Sequence, residues 1–186
     1  MKIGIFGGSF NPPHIGHIKI ATDLINNKLL DKIIFVPTGN RYNKKELIDC
    51  NHRYNMLKII CEENDNMDVS DYEQKNELIY AYQTLDNFQK MFPKDQIYLI
   101  IGADNLLYFE TWREYRYILS NYKVIVNTRD NINVNKIIEE KFNEYKNSFI
   151  IRESYENVSS TSIRDNIVNI NEITPLLTQS VLNYIK

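Results

Sequence analysis

The chain has 186 residues, of which 43% are hydrophobic and 25% charged, and this is enough apolar material for one domain with a buried core. Its formal net charge of −2 excludes a general basic field, so we expect neither nucleic acid nor a membrane surface as a partner. It has no apolar run of membrane-spanning length and no leader pattern, which predicts a cytoplasmic protein.

Short apolar segments alternate with helical patterns along the chain. Strands are predicted at residues 2–6, 32–36, 67–69, 96–101, 123–127 and 148–151. Helices are predicted at 18–26, 53–63, 79–91, 105–119 and 134–146, with two more, 162–169 and 175–185, after the last strand. Polar loops are predicted at 38–50 and 71–77. Several strands are apolar at every position, so the pattern predicts an α/β fold with a central parallel sheet covered on both faces.

The turn after the first predicted strand combines glycines, prolines and histidines. Gly7 and Gly8 leave backbone N–H groups open to an anion, and His14 and His17 lie three positions apart where the next helix starts. The helix dipole and the imidazoles both favour negative charge there. The turn matches neither the dinucleotide-binding nor the P-loop pattern. It predicts a phosphate-binding site, with an ordinary surface turn carrying two capping histidines as the alternative.

Two segments carry a resemblance to a known superfamily. Residues 8–17, Gly-Ser-Phe-Asn-Pro-Pro-His-Ile-Gly-His, resemble the (G)SFxPxHxGH signature of the nucleotidyltransferases, and residues 159–164, Ser-Ser-Thr-Ser-Ile-Arg, resemble their SSTxIR motif. Ser159, Ser160 or Thr161 can cap the helix that follows, and such a cap alone would be weak evidence. Two motifs in this order, each after a predicted strand, are far more specific.

The resemblance implies a fold and a domain organisation. It implies a Rossmann-like three-layer α/β/α architecture with a central parallel sheet and C-terminal helices. We expect residues 1–186 to form a single nucleotidyltransferase domain, in which the last helices, at about 159–186, pack as a C-terminal helical extension.

The middle of the chain resembles one family within this superfamily. Gly102-Ala103-Asp104 and residues 109–115 resemble the GAD and FxxW region of the bacterial nicotinate-nucleotide adenylyltransferases. The likeness covers nearly the whole chain, since an RxxML helix and an SYxxxTL segment are represented by Arg53, Met56, Leu57, Tyr80, Thr84 and Leu85. It implies adenylyl transfer from ATP to nicotinate mononucleotide, which gives nicotinate adenine dinucleotide and pyrophosphate in NAD biosynthesis.

The family pattern also implies roles for individual residues. The catalytic residues would be His14, His17 and Arg164. The ATP-binding residues would be Gly7, Gly8, Ser9, Phe10, Gly102, Asp104, Ser160, Thr161 and Ile163, with Asp104 on the ribose. The acceptor-binding residues would be Lys44, Tyr80, Thr84, Trp112 and Arg113. Trp112 would border the pyridine ring, which an aromatic face suits through stacking and cation–π attraction; the alternative is a core anchor.

The chain departs from the family pattern in two places. Where the family usually has a Pro-Pro-His-Lys run, only Lys44 matches. Ile79 and Ala81 replace the usual Ser and Thr of the SYT segment, which removes two hydroxyls. The side-chain contacts to the acceptor therefore differ in these segments.

The residues also restrict the mechanism. There is no serine elbow, cysteine–histidine pair or carboxylate cluster for two metals, so we expect direct in-line attack, with the histidines holding phosphate oxygens. Magnesium would be bound mainly through ATP and water. No protein-held metal site is predicted, because Cys50, His52 and Cys61 lack a Cys-x-x-Cys pair.

Three alternatives remain open from sequence. Nicotinamide mononucleotide or another phosphorylated acceptor, such as phosphopantetheine, could replace nicotinate mononucleotide. The chain could also be a nucleotide-binding regulator without catalysis, although the presence of His14, His17 and Arg164 argues against this. The oligomeric state is not predicted.

Overall fold

A computed structural model of the chain describes residues 1–40, 47–76, 79–128, 132–153 and 158–185. It contains a six-stranded parallel sheet in the order β3-β2-β1-β4-β5-β6. The strands are β1 Lys2–Gly8, β2 Lys32–Pro37, β3 Met67–Val69, β4 Gln96–Gly102, β5 Lys123–Asn127 and β6 Phe149–Arg152. All six predicted strands are confirmed, and so is the α/β class.

Helices cover both faces of the sheet and follow its last strand. The α-helices are α1 Ile15–Asn26, α2 Cys50–Glu62, α3 Tyr72–Lys75, α4 Ala81–Met91, α5 Ala103–Leu106, α6 Tyr115–Asn121, α7 Val134–Lys141, α8 Ser160–Asp165, α9 Ile170–Ile173 and α10 Gln179–Ile185. Short 3-10 helices lie at Phe109–Thr111, Asn143–Ser148 and Thr174–Leu176. None of the helices in the described ranges is long and apolar enough to span a bilayer.

Several helix predictions were wrong in extent. The predicted helix 105–119 is broken, because Trp112 is extended and Glu114 is left-handed, with φ of 57°. Helix 134–146 ends at Lys141 and continues as a 3-10 helix, and helix 175–185 starts only at Gln179. The sequence also missed α9 and the one-turn helix α3, which lies inside the predicted loop 71–77 and is too short to show periodicity.

The two layers of core explain the continuously apolar strands. Alternate residues of β2 point to opposite faces, so that Ile33 and Phe35 belong to one buried cluster and Ile34 and Val36 to the other. A third cluster joins α2 to the C-terminal helices and includes Met56, Ile60, Ile163, Val181 and Leu182. The C-terminal helices therefore bring residues 158–164 to the carboxyl end of the sheet.

Candidate active site

A cavity of about 870 Å³ opens beyond the carboxyl ends of the strands, where ligands bind in open parallel sheets. Most of the residues that the sequence predicted for the site line it together: Gly7, Gly8, Ser9, Phe10, His14, His17, Tyr80, Thr84, Gly102, Asp104, Trp112, Arg113, Ser160, Thr161 and Arg164. One cavity thus brings together segments from both motifs and from the middle of the chain.

Two predicted site residues stand apart. The side chain of Ile163 is fully buried in the C-terminal core cluster and does not line the cavity, so its predicted ATP contact stays a prediction that only its backbone could fulfil. Its neighbours Thr161 and Arg164, three positions apart on α8, face the cavity, and this leaves Ile163 to anchor the helix. Lys44 lies outside the described residues.

The two histidines form a stacked pair at the start of α1. The helix begins at Ile15, three residues earlier than predicted, so that His14 is the N-cap and His17 lies in the first turn. The His14 N–H donates to Nδ1 of His17 at 3.2 Å, and the ring centroids lie 3.7 Å apart. Because Nδ1 accepts, a neutral His17 carries its proton on Nε2. His17 can therefore donate a hydrogen bond from Nε2 to a phosphate oxygen.

The loop between β1 and α1 is closely packed. Phe10 has a left-handed backbone, with φ of 45°, and its ring is 2% exposed. A Cβ on Gly8 would lie 3.2 Å from that ring, whereas a Cβ on Gly7 would meet no atom within 4 Å. Packing therefore favours glycine at position 8, and open space adjoins Gly7 in the cavity.

The second motif contacts the first one directly. Ser159 caps α8, since its Oγ accepts from the Ser162 N–H at 3.1 Å. Ser160 Oγ donates to the Pro12 carbonyl at 2.9 Å, and Arg164 Nη1 donates to the Asn11 carbonyl at 2.9 Å. These partners are 148 and 153 residues apart in the chain. The motif thus supports the loop that carries the histidines.

Another part of the cavity lining is aromatic and more exposed. The Arg113 guanidinium carbon lies 4.9 Å from the centroid of the Tyr80 ring, and Tyr80 stacks with Tyr82 at 6.4 Å. A hydrogen bond with Tyr80 raises the pKa of Arg113. Trp112 packs against Phe109, with ring centroids 4.9 Å apart, and also lines the cavity. The core-anchor and ligand-facing interpretations of Trp112 are therefore compatible.

A buried arginine, Arg53, lies beneath the site; it was noted from the sequence as part of the RxxML segment, but no role in the site was predicted for it. Arg53 is fully buried, and it donates to the carbonyls of Ile48 at 2.9 Å, Ser9 at 2.8 Å and Thr38 at 2.6 Å. Burial lowers the pKa of Arg53. The apolar residues at positions 56, 57 and 60 place position 53 on the buried face of the helix, and this signal could have identified it.

A residue that the sequence did not single out is Glu73, on the one-turn helix α3. Its Oε1 accepts from the Thr84 hydroxyl at 2.8 Å, and it lines the cavity. Burial raises the pKa of Glu73 to about 7, against the lowering effects of Thr84 and Arg53. The polar pattern of 71–77 gave no sign that a carboxyl group there would be enclosed.

The cavity is richer in basic than in acidic side chains. His14, His17, Arg113 and Arg164 line it, while Glu73 and Asp104 are its acidic residues in the ranges described. Within those ranges, no group of three or more His, Cys, Asp or Glu side chains is placed to hold a metal ion. The lining is therefore suited to anionic groups along much of its length.

The fold and the matches to known proteins together define a class. Residues 5–166 match the family model described as Cytidylyltransferase-like. Among solved structures, the Plasmodium falciparum nicotinic acid mononucleotide adenylyltransferase complexed with NaAD superposes with a TM-score of 0.84, at 22% identity, over 99% of this chain and 94% of that one. That likeness establishes the shared fold, and the family-model match places the chain in the cytidylyltransferase-like family.

Curated relatives define the family more closely. The chain is 38% identical to a protein of Clostridium tetani over 194 residues, which cover 100% of this chain and 96% of the relative. It is 40% identical to a protein of Fusobacterium nucleatum over 192 residues, which cover 100% of this chain and 97% of that relative. Both relatives carry the name probable nicotinate-nucleotide adenylyltransferase. The chain belongs to the nicotinate-nucleotide adenylyltransferase family.

Proposed function

We propose that this chain transfers the adenylyl group of ATP to nicotinate mononucleotide, producing nicotinate adenine dinucleotide and pyrophosphate. The observation that carries the proposal is the single cavity, which joins a histidine-containing phosphate end to an aromatic, cationic end. Full-length identity to proteins named for this activity supports the same reaction.

The reaction proceeds by one in-line displacement. A phosphate oxygen of the acceptor attacks the α-phosphorus of ATP, the bond to the bridging oxygen of the β-phosphate breaks, and pyrophosphate leaves. No general base is needed, because the attacking phosphate is already anionic near neutral pH. The protein contributes positioning and charge stabilisation, and the described residues are arranged for both tasks.

The phosphate end holds the ATP phosphates. His17 donates from Nε2, and His14 stacks on it and fixes its orientation through the backbone bond of 3.2 Å. Arg164 is a second cation beside the loop, and its Nε is buried without a hydrogen-bond partner in the described part of the chain. Ser160 and Thr161 complete this side of the cavity.

Magnesium would be held mainly by the nucleotide. The cavity lining offers no cluster of acidic and histidine ligands within the described ranges, which fits an ion coordinated by ATP phosphates and water. When bound, it neutralises charge on the phosphate oxygens.

The aromatic end binds the acceptor. Trp112 and Tyr80 provide flat faces for a cationic pyridine ring, and Arg113, exposed beside Tyr80, provides a cation for a carboxylate. A cation there favours nicotinate over nicotinamide mononucleotide, since the amide is neutral.

The direct test is acceptor-dependent pyrophosphate release. The protein is incubated with ATP and magnesium, and nicotinate mononucleotide, nicotinamide mononucleotide or phosphopantetheine is added singly. We expect the fastest release with nicotinate mononucleotide. Release with none of the acceptors would reject the enzyme assignment and favour a nucleotide-binding regulator.

A further inference from the structure

We propose that Arg53 is a positioning residue for the nucleotide phosphates: it holds the Ser9–Phe10 peptide so that the Phe10 N–H faces the cavity. The proposal rests on the proposed function only in taking ATP as the ligand. Arg53 itself does not line the cavity, so it acts through the loop.

The contacts of Arg53 are unusual for a buried cation. Its side chain is fully buried, and its hydrogen bonds go to three backbone carbonyls and to the Thr38 hydroxyl, the last at 3.4 Å. In the described ranges no carboxylate lies within 4.0 Å of its guanidinium nitrogens. Burying a charge without an ion-pair partner is unfavourable for the stability of the fold. We therefore expect Arg53 to have a role besides stabilising the fold.

Peptide geometry connects Arg53 to the cavity. The C=O and N–H groups of a trans peptide point in opposite directions. The Ser9 carbonyl points to Arg53, at 2.8 Å, so the N–H of Phe10 points away from Arg53. Ser9 and Phe10 both line the cavity, and the Phe10 N–H donates no hydrogen bond within the described residues. It is therefore a donor available to a phosphate oxygen.

The loop needs external support to hold this orientation. Phe10 has φ of 45°, a left-handed conformation that is unfavourable for a residue other than glycine. Arg53 also bonds the Thr38 carbonyl, and the Thr38 N–H donates to the Gly8 carbonyl at 3.0 Å. One guanidinium therefore fixes the loops after β1 and β2 relative to each other. A lysine has a single nitrogen and cannot reproduce this fork.

The test separates phosphate positioning from a general contribution to folding. Kd values for ATP and for adenosine are measured by calorimetry in wild type, Arg53→Lys and Arg53→Met, together with the thermal midpoints. Leu57→Ala is the matched control, because Leu57 is a buried residue of the same helix in the core cluster that contains Ile33 and Met67.

We expect the Arg53 variants to lose about tenfold in ATP affinity relative to adenosine, the scale of one charge-assisted hydrogen bond. Leu57→Ala should lower the thermal midpoint and leave the ratio of the two affinities unchanged. Parallel losses for ATP and adenosine, or an unchanged ratio in Arg53→Lys, would overturn the proposal. Binding is measured without turnover, so a wild type that binds ATP but transfers no adenylyl group would refute the proposed function alone.

A second measurement uses only the wild-type protein and decides the matter if neither variant folds. The Phe10 amide proton is followed by NMR while inorganic tripolyphosphate or adenosine is added. We expect a downfield shift with tripolyphosphate and little change with adenosine. No response to tripolyphosphate would contradict the proposal.

Discussion

The two ends of the cavity are built in different ways. At the phosphate end, His14, Phe10 and Arg53 are 5%, 2% and 0% exposed, and hydrogen bonds from distant segments hold the loop. At the acceptor end, Arg113 is exposed and Trp112 is half-buried. Under the proposed function, the steps that depend on accurate placement would take place beside closely packed residues, and selection of the acceptor would depend on more exposed side chains.

The largest effect is expected at the phosphate end. His17→Ala removes the Nε2 donor and should lower kcat by about a hundredfold, the scale for one charge-stabilising donor. Turnover is measured by pyrophosphate release under saturating substrates. Lys19→Ala, an exposed position on the same helix outside the cavity lining, is the control and should turn over normally. Normal turnover in a folded His17→Ala protein would remove His17 from the mechanism.

At the acceptor end we expect a smaller effect, which concerns KM for the acceptor and not KM for ATP. Trp112→Ala removes the aromatic face and should raise KM for nicotinate mononucleotide by about tenfold, with KM for ATP little changed. Trp112→Phe keeps an aromatic ring and should recover most of the loss. If KM for ATP rose equally, the division of the cavity into two ends would be wrong.

Arg113 provides a sharper test of selectivity. Arg113→Gln removes the cation and should reduce the preference for nicotinate over nicotinamide mononucleotide by about fivefold, as expected for a solvent-exposed charge pair. The measurement is the ratio of kcat/KM values for the two acceptors. Arg113→Lys keeps the charge and should retain most of the preference. An unchanged ratio in Arg113→Gln would place acid recognition elsewhere.

A separate effect concerns stability and pH rather than turnover. Burial raises the pKa of Glu73 from 4.5 to about 7, so the folded protein retains a proton that the unfolded chain releases. This contribution to stability is fully present below pH 4.5 and is lost as the pH rises through about 7, by at most on the order of 3 kcal/mol.

Glu73→Gln removes the titration and keeps an acceptor for Thr84. Urea unfolding at several pH values should therefore show the variant gaining stability relative to wild type between pH 4.5 and 7. Glu62→Gln, at an exposed position on α2, is the surface control. Parallel stability profiles for wild type and Glu73→Gln would show that Glu73 is not held protonated by the fold.

Local signals in the sequence were sufficient for the sheet and for most of the cavity lining. Continuous apolar runs predicted the six strands, and both loop motifs were found because their glycines, histidines and hydroxyls are close together in the chain. The break at Glu114 was not predictable, since a left-handed glutamate has no sequence signature comparable to glycine.

The features that the sequence did not reveal have a common physical cause. The burial of Ile163 could not be read from its place in a motif, because it depends on the third core cluster, which forms only when α2 and α10 pack together. The roles of Arg53 and Glu73 were missed because they depend on which carbonyls and hydroxyls the fold brings to these residues. The periodicity of apolar residues and the spacing of motifs along the sequence do not reveal such long-range contacts.

The stereochemical course at the α-phosphorus shows whether the adenylyl group is transferred to the acceptor in a single in-line step. An ATP analogue that is chiral at the α-phosphorus through one sulfur substitution is turned over with nicotinate mononucleotide, and the configuration of the product is determined. We predict inversion, because the acceptor phosphate displaces pyrophosphate in one step. Retention would indicate a covalent adenylyl-enzyme intermediate and would contradict the account.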